Sequence, residues 1–531
     1  MASFVELMRD LAPQFVPITA EVWLLCVACA MLLIDSVSFT KTETAAAAMR
    51  SSNRSLWIAQ IGICVAAAIA LCYTMGGQTQ YAWNGMLVSD PLANFLKAGC
   101  AIATLLTLAY GTQYAMARGM HKVELYTLAI FSLMGQMIMV SSNNLLTMYL
   151  GLELMSLSLY ALVALRRDHT QSTEAAMKYF VLGALASGFM LYGMSMLYGA
   201  TGSLDTSTIF KALSEQKMAT PMATFGVAAA TTAVTATVSK AAVVLASVFI
   251  VAGLAFKLGA APFHMWIPDV YDGAPTTVTL LIAGAPKLAA LGLTLRLLVE
   301  TMLPLAIDWQ PMLLVLGIAS VALGNVVAVM QTNLKRMLAY STISHMGFVA
   351  MALACGVSLG ANNTLNTANA VGAYGIALFY MSTYVLTTLA SFAIIMVLSR
   401  AGFECDQISN LRGLGKTNPW LALIMLLIML SLAGIPPMVG FWAKFEVLNA
   451  LLLQDHTLVA VVAVMFSLVG AFYYLRVLKT MYFEEADTQS ANSVPTPWLL
   501  SLNAVLIVGL GLFPSGLMQL CRDVIKAALA G

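Results

Sequence analysis

Apolar runs of about twenty residues follow one another along almost the whole chain, separated by short polar or Pro/Gly-rich cuts. A helix that long matches the hydrocarbon thickness of a bilayer. Lipid offers no partner to backbone N–H and C=O groups, so runs of this length can span it only as helices that satisfy their own backbone. Cutting at the polar and Pro/Gly clusters gives about fourteen helices, centred near Cys26, Ala66, Ala103, Met134, Glu153, Leu185, Ala252, Leu288, Ile318, Gly347, Leu386, Met429, Ser467 and Ile507. Only 9% of the 531 residues are charged and 60% are hydrophobic, against about 25% charged in soluble domains. The expected fold class is therefore an all-α polytopic membrane protein, and no hydrophilic stretch is long enough for a soluble domain. A net charge of +2 does not suggest nucleic-acid binding.

Glu6 and Asp10 surround Arg9 ahead of the first apolar run, so the basic region of a cleaved signal peptide is missing and residues 17–36 read as a permanent span. The eight cysteines are scattered. Cys26 and Cys29 are neighbours on one helix face, and the preferred reading is small packing residues rather than metal ligands. No G-x-G-x-x-G or G-x-x-x-x-G-K-[ST] occurs, which leaves no visible nucleotide site. One alternate set of loops holds Lys41, Arg50, Arg54, Arg118, Lys122, Arg166, Arg167, Lys335, Arg336, Arg400, Arg412, Lys416, Arg476 and Lys479. The other holds only Arg9, Lys211, Lys217, Lys240, Arg296, Arg522 and Lys526. The positive-inside bias puts the first set in the cytoplasm and both termini outside, in the periplasm.

Two spans are interrupted in similar ways. FKLGAAPFHMW places Pro262 five residues after Lys257, and SLAGIPPMVGFWAKF places Pro436 and Pro437 shortly before Lys444. Each proline removes an N–H and frees a carbonyl one turn earlier. These are the seventh and twelfth helices. A five-helix unit repeated in tandem re-enters the membrane upside down, so the expected organisation is helices 1–3 over residues 1–123 and inverted repeats over 124–300 and 309–485. The last helix then occupies 486–531. Ordinary proline kinks in packed helices are the alternative.

A charge at mid-bilayer costs at least about 2.5–3.5 kcal/mol, so such groups persist where they pair or move an ion. Here they are Glu153, Lys178, Lys257, Lys287 and Lys444. Burial disfavours the charged form and a nearby carboxylate opposes that. Two charges at about 4 Å interact by about 4 kcal/mol at an effective dielectric of 20, enough to switch proton occupancy. The expectation is a proton relay in which Glu153 partners Lys178 or Lys257, with a static structural ion pair as the alternative. His264 follows Lys257 by seven residues, on the same face if the helix continues through Pro262. His345 is the strongly titratable group inside the tenth span. An imidazole suits proton hand-off, and a structural hydrogen bond is the alternative for both histidines. Lys97 lies near a span end, where snorkelling to the interface is expected. Glu446 is two residues from Lys444, hence on another face, and Lys335–Arg336 read as a cytoplasmic stop.

The stretch GLAFKLGAAPFHMWIPDVYDGAPTTVTLLIAGAPKLAALG resembles the proton-translocating membrane subunits of NADH–quinone oxidoreductase (respiratory complex I), which are related to Mrp-type sodium/proton antiporters. NLKRMLAYSTISHMGF and SLAGIPPMVGFWAKF match two further motifs of that family. The likeness is greatest to the subunit type that lacks a long amphipathic C-terminal arm and carries lysine rather than glutamate at the position of Lys444. The resemblance implies fourteen helices, inverted repeats, and proton-path roles for Glu153, Lys178, Lys257, Lys287 and Lys444. It also implies no redox centre in this chain: NADH, FMN, iron–sulfur clusters and quinone bind elsewhere, and the partners are other membrane-arm subunits and the lipid bilayer. Two features depart from the family. Residues 201–240 are longer and richer in Ala and Thr than expected and read as an external loop, and Glu446 is unusual. A stand-alone or Mrp-type cation/proton antiporter and a structural scaffold remain the rival readings.

Overall fold

The computed structural model describes residues 14–39, 45–215, 240–359, 365–399, 402–485 and 497–530. The first three spans are α1 (Thr19–Phe39), α2 (Ala45–Gly76) and α3 (Pro91–Ala117). There follow α4 (Val123–Ser141), α5 (Leu145–Val163) and α6 (Thr170–Thr201). The seventh span is broken into α7a (Lys240–Leu258) and α7b (Trp266–Gly273). The eighth, α8, joins Thr276–Ala283 to Ala285–Thr294 across a kink at Gly284 and ends as a π-helix, Leu295–Thr301. Then come α9 (Ala306–Met330), α10 (Leu334–Leu353) and α11 (Ala370–Leu398). The twelfth is broken into α12a (Pro419–Ala433) and α12b (Val439–Leu453). The chain closes with α13 (Thr457–Phe483), α14 (Trp498–Leu512) and α15 (Ser515–Ala530).

Among the described residues eleven helices are long and apolar enough to cross a membrane, and α14 with α15, bent by 82°, makes a twelfth. The two that fall short are informative. α10 carries Lys335, Arg336, Ser341, Thr342, Ser344 and His345 on one helix, and α12 is cut into halves of 15 residues each. Counting both brings the total to the fourteen expected. The sequence reading missed α15, an amphipathic helix that turns across the end of α14 and packs on α11. Of the segment 201–240, the structure shows a short helix, Thr206–Ser214, before residues that lie outside the described ones.

α8 is enclosed by other helices along its whole apolar length, so it lies in the interior of the bundle. Around it, two helix pairs pack through glycines. A Cβ on Gly135 of α4 would lie 2.5 Å from the Met155 nitrogen and 2.7 Å from the Gly151 oxygen of α5. A Cβ on Gly347 of α10 would lie 2.7 Å from the Gly317 oxygen of α9. Lipid gives helices no hydrophobic reason to associate, so close backbone approach through small residues is what holds such pairs together. The basic loops gather at one end of the bundle, where Arg412 bonds Glu484 at 2.9 Å, Lys335 reaches the Asp272 carbonyl at 2.8 Å and Arg118 pairs with Glu404. At the other end the antiparallel strands β1 (Gln80–Ala82) and β2 (Leu87–Ser89) sit beside Asn143 and Asp205.

Candidate functional site

Both broken spans end in the same way. α7a stops at Gly259 (φ +83°), and the amides of Gly259 and Ala260 both return to the Ala255 carbonyl. α12a stops at Gly434 (φ +82°), and the amides of Gly434 and Ile435 both return to the Leu430 carbonyl. The left-handed conformation is one that glycine adopts without a Cβ penalty. Each cap leaves two carbonyls at equivalent places with no backbone donor, and in each case a lysine ammonium takes them. Lys287 Nζ donates to the carbonyls of Leu258 (2.7 Å) and Lys257 (3.3 Å). Lys444 Nζ donates to those of Leu432 (2.9 Å) and Ala433 (3.0 Å), and to Ser467 Oγ at 3.2 Å. The first break is thus capped from α8 and the second by its own following half-helix. Lys287 lies 5.1 Å from the Trp266 ring centroid and Lys444 5.7 Å from that of Phe348, aromatic faces that favour a cation. Neither ammonium forms an ion pair with a carboxylate among the described residues.

Lys257 points to α5, where its Nζ donates to Ser156 Oγ at 2.9 Å. Ser156 is one turn from Glu153 on the same helix face. The expected direct pairing of Glu153 with a lysine is corrected in this form. Lys257 takes Ser156 as its hydrogen-bond partner, and Glu153 Oε1 is buried without one. Lys178 does not meet Glu153. It is half-exposed and bonds Asp269 of α7b and Glu174, both at 2.8 Å. Asp269 also receives Arg336 of α10 at 3.1 Å, which ties the sixth, seventh and tenth spans together. Lys335 and Arg336 are therefore bound to the α7b end, not free flanking charges. Beside them opens a cavity of ≈ 700 Å³ lined by Asp272, Lys335, Glu404, Asp406 and His169.

His345 is buried between two tyrosines, with Nδ1 2.7 Å from Tyr380 Oη and Nε2 3.3 Å from Tyr474 Oη. Tyr474 bonds Ser341. A small cavity lies beside the ring, lined in part by Leu432 and Ala443. His264 lies elsewhere. The helix does not continue through Pro262, so His264 sits in the break, off the Lys257 face, with its Nδ1 buried and unpartnered. Lys97 does not snorkel: it is 1% exposed and pairs with Glu21 of α1 at 2.6 Å. Glu446 turns from Lys444 to Arg522 of α15, at 3.8 Å. Cys26 and Cys29 face outward from α1 instead of packing. The sequence reading missed Ser156, Ser467, Tyr380, Tyr474 and Asp269. Ser156 had a signal, its one-turn spacing from Glu153; the others depend on neighbours distant in sequence. Among the described residues no group of three or more His, Cys, Asp or Glu could hold a metal ion.

Interrupted spans whose unwound backbone is held by lysines mark a helical, multi-pass membrane protein with two discontinuous helices. Residues 142–472 match the family described as NADH:quinone oxidoreductase/Mrp antiporter, TM. The chain is 50% identical over 523 residues to NADH-quinone oxidoreductase subunit N of Herminiimonas arsenicoxydans, covering 97% of this chain and 99% of that one. It is 48% identical over 524 residues to the subunit N of Polaromonas naphthalenivorans, covering 97% and 98%. A chain in a structure of respiratory complex I from Thermus thermophilus with bound aureothin is 30% identical, with a TM-score of 0.73 over 95% of this chain and 99% of that one. The chain belongs to the NADH-quinone oxidoreductase subunit N family.

Proposed function

We propose that this chain carries protons outward in the membrane arm of a bacterial NADH–quinone oxidoreductase, driven by electron transfer from NADH to quinone in partner subunits. NADH, FMN, iron–sulfur clusters and quinone belong to those partners. The chain lies in the cell inner membrane with the basic end, at Arg118, Lys335 and Arg412, in the cytoplasm and both termini in the periplasm. Residues 124–300 and 309–485 form two inverted repeats, a reading supported by the matching breaks and the matching glycine-packed pairs.

The observation that carries the relay is the pair of ammonium groups on freed carbonyls, Lys287 at the first break and Lys444 at the second. A carbonyl accepts hydrogen bonds whether or not the amine holds its extra proton, so either lysine gives up a proton without leaving a buried anion behind. Lys257 is the central carrier, since it touches Ser156 beside Glu153 and offers its own carbonyl to Lys287. Lys178 gathers protons at the cytoplasmic end through Asp269, and Lys444 is a gate to the outside with His345 as its neighbour. Each proton moved against 100 mV costs about 2.3 kcal/mol, so the driving reaction sits in the partner subunits.

The test is proton ejection by the assembled complex in vesicles carrying Lys257→Ala. Ejection per NADH oxidised should fall sharply; unchanged ejection would make the buried charges a scaffold. The family description also names Mrp antiporters, so a second reading is a cation/proton antiporter subunit. Purification of the tagged chain separates the two: flavin and NADH–quinone activity should accompany it.

A further inference from the structure

The relay above leaves unused a second set of buried charges, on the spans that precede the repeats and at the outer end of α8. Arg296 and Asp90 are 3% and 4% exposed, and the guanidinium bonds Asp90 at 2.6 Å and both oxygens of Glu300 at 2.7 Å. Two carboxylates share one guanidinium, so the cluster has one negative charge in excess and room for one proton. Arg296 and Glu300 lie about one turn apart on the π-helical stretch Leu295–Thr301, and such turns recur at functional sites. Glu300 and Asp90 then line the wall of an open cavity of ≈ 500 Å³, together with Lys211, Thr206 and Ser207.

Inward, the cluster continues. Arg296 Nε donates to the Val140 carbonyl at 3.1 Å, and the next residue, Ser141, donates to Glu21 at 3.1 Å. Glu21 is paired with Lys97. Along α4, one turn from Val140, Gln136 Oε1 is buried without a protein partner, as are Thr104 Oγ1 of α3 and Glu21 Oε2. Polar atoms in that state favour admission of water.

We propose that Glu300 is a proton-release group on the periplasmic side, loaded from Lys287 through the Lys97–Glu21 pair as a branch that bypasses Lys444. An N–H bond of the Lys287 ammonium breaks as Glu21 is protonated; that O–H bond breaks in turn as water passes the proton on, and a Glu300 carboxylate oxygen forms the new O–H bond and stops accepting one hydrogen bond from Arg296. It then loses the proton to water in the outer cavity and returns to Arg296. The inference rests on the relay proposed above, and the two fail separately.

The experiment compares proton ejection per NADH oxidised by assembled complexes in vesicles. Glu300→Gln keeps an acceptor for Arg296 but cannot carry the proton, and should lose part of the ejection, whereas Glu300→Asp should retain it. A structural role would not distinguish them in this way. The double variant Lys97→Met with Glu21→Gln should show a similar loss. Ser207→Trp, which obstructs the cavity and leaves every charge in place, should lower ejection as well and keeps the proposal testable if Glu300→Gln does not assemble. Wild-type ejection from Glu300→Gln or Ser207→Trp, with Lys257→Ala impaired, overturns this branch alone; wild-type ejection from Lys257→Ala overturns the relay itself.

Discussion

Lys97 and Glu21 answer to each other across 2.6 Å in nearly full burial, with Ser141 as the only further donor to Glu21 among the described residues. Removing one member leaves the other charged and unpaired, which costs about 3–5 kcal/mol, whereas replacing both is often neutral. Lys97→Met should therefore lower the thermal stability of the complex strongly, and Lys97→Met with Glu21→Gln should recover most of it. A double variant no more stable than the single one would refute the pairing. Lys178 has the opposite balance: its side chain is 44% exposed and its two carboxylates are wet. Exposed pairs contribute about 0–1 kcal/mol, so Lys178→Met should leave thermal stability nearly unchanged and show itself, if at all, in proton ejection.

The helices contribute by where they stop. Gly434 holds φ +82°, and a Cβ there would lie 2.8 Å from Lys444 Cδ. Gly434→Ala should cost about 1–2 kcal/mol in backbone strain and push the ammonium off its carbonyls, so ejection should fall further than stability does; equal and small effects would argue against the cap. At the basic end Glu404 holds α3 and α8 to the loop before α12a, through Tyr114 at 2.9 Å and Thr276 at 2.6 Å as well as Arg118. Burial alone would raise its carboxyl pKa, but Lys335, Thr276, Arg118 and Tyr114 together outweigh burial and hold it below the ordinary value. The folded form thus binds that proton less tightly than the unfolded chain. Its stabilisation is whole above about pH 4.3, the unfolded value, and is lost as pH falls through the lower folded one. Thermal unfolding of wild type and Glu404→Gln should differ at pH 7 and converge in acid. The spans, the two breaks and the lysines were legible in the sequence because lipid penalises polar groups so heavily that each exception shows. What each lysine touches was not. Ser467 and the carbonyls of Leu258 and Leu432 become partners only through packing, and Lys97 read as a flanking charge because Glu21 lies on a different span. The kink at Gly284 leaves no gap in hydropathy that sequence could register, whereas Pro514 and the charges Arg522, Asp523 and Lys526 do mark the turn into α15.

At the scale of the molecule the question is whether these charges act as one circuit. α8 carries Lys287 at its middle and Glu300 at its far end; it is buried along its length, packs on the first broken span, and meets the second through α11. Lys257 touches both its own break and α5, so every route described passes through it, while Lys444 and Glu300 stand on separate ways out. Independent sites give effects on free energy that add, and groups acting in series do not. Lys257→Ala should therefore mask Lys444→Ala, the double variant ejecting no fewer protons per NADH than Lys257→Ala alone. Lys444→Ala alone should be milder, and joining Glu300→Gln to it should bring ejection down to the level of Lys257→Ala. If Lys257→Ala and Lys444→Ala instead multiply, the two breaks serve separate proton paths and α8 is a partition between them, not a conductor.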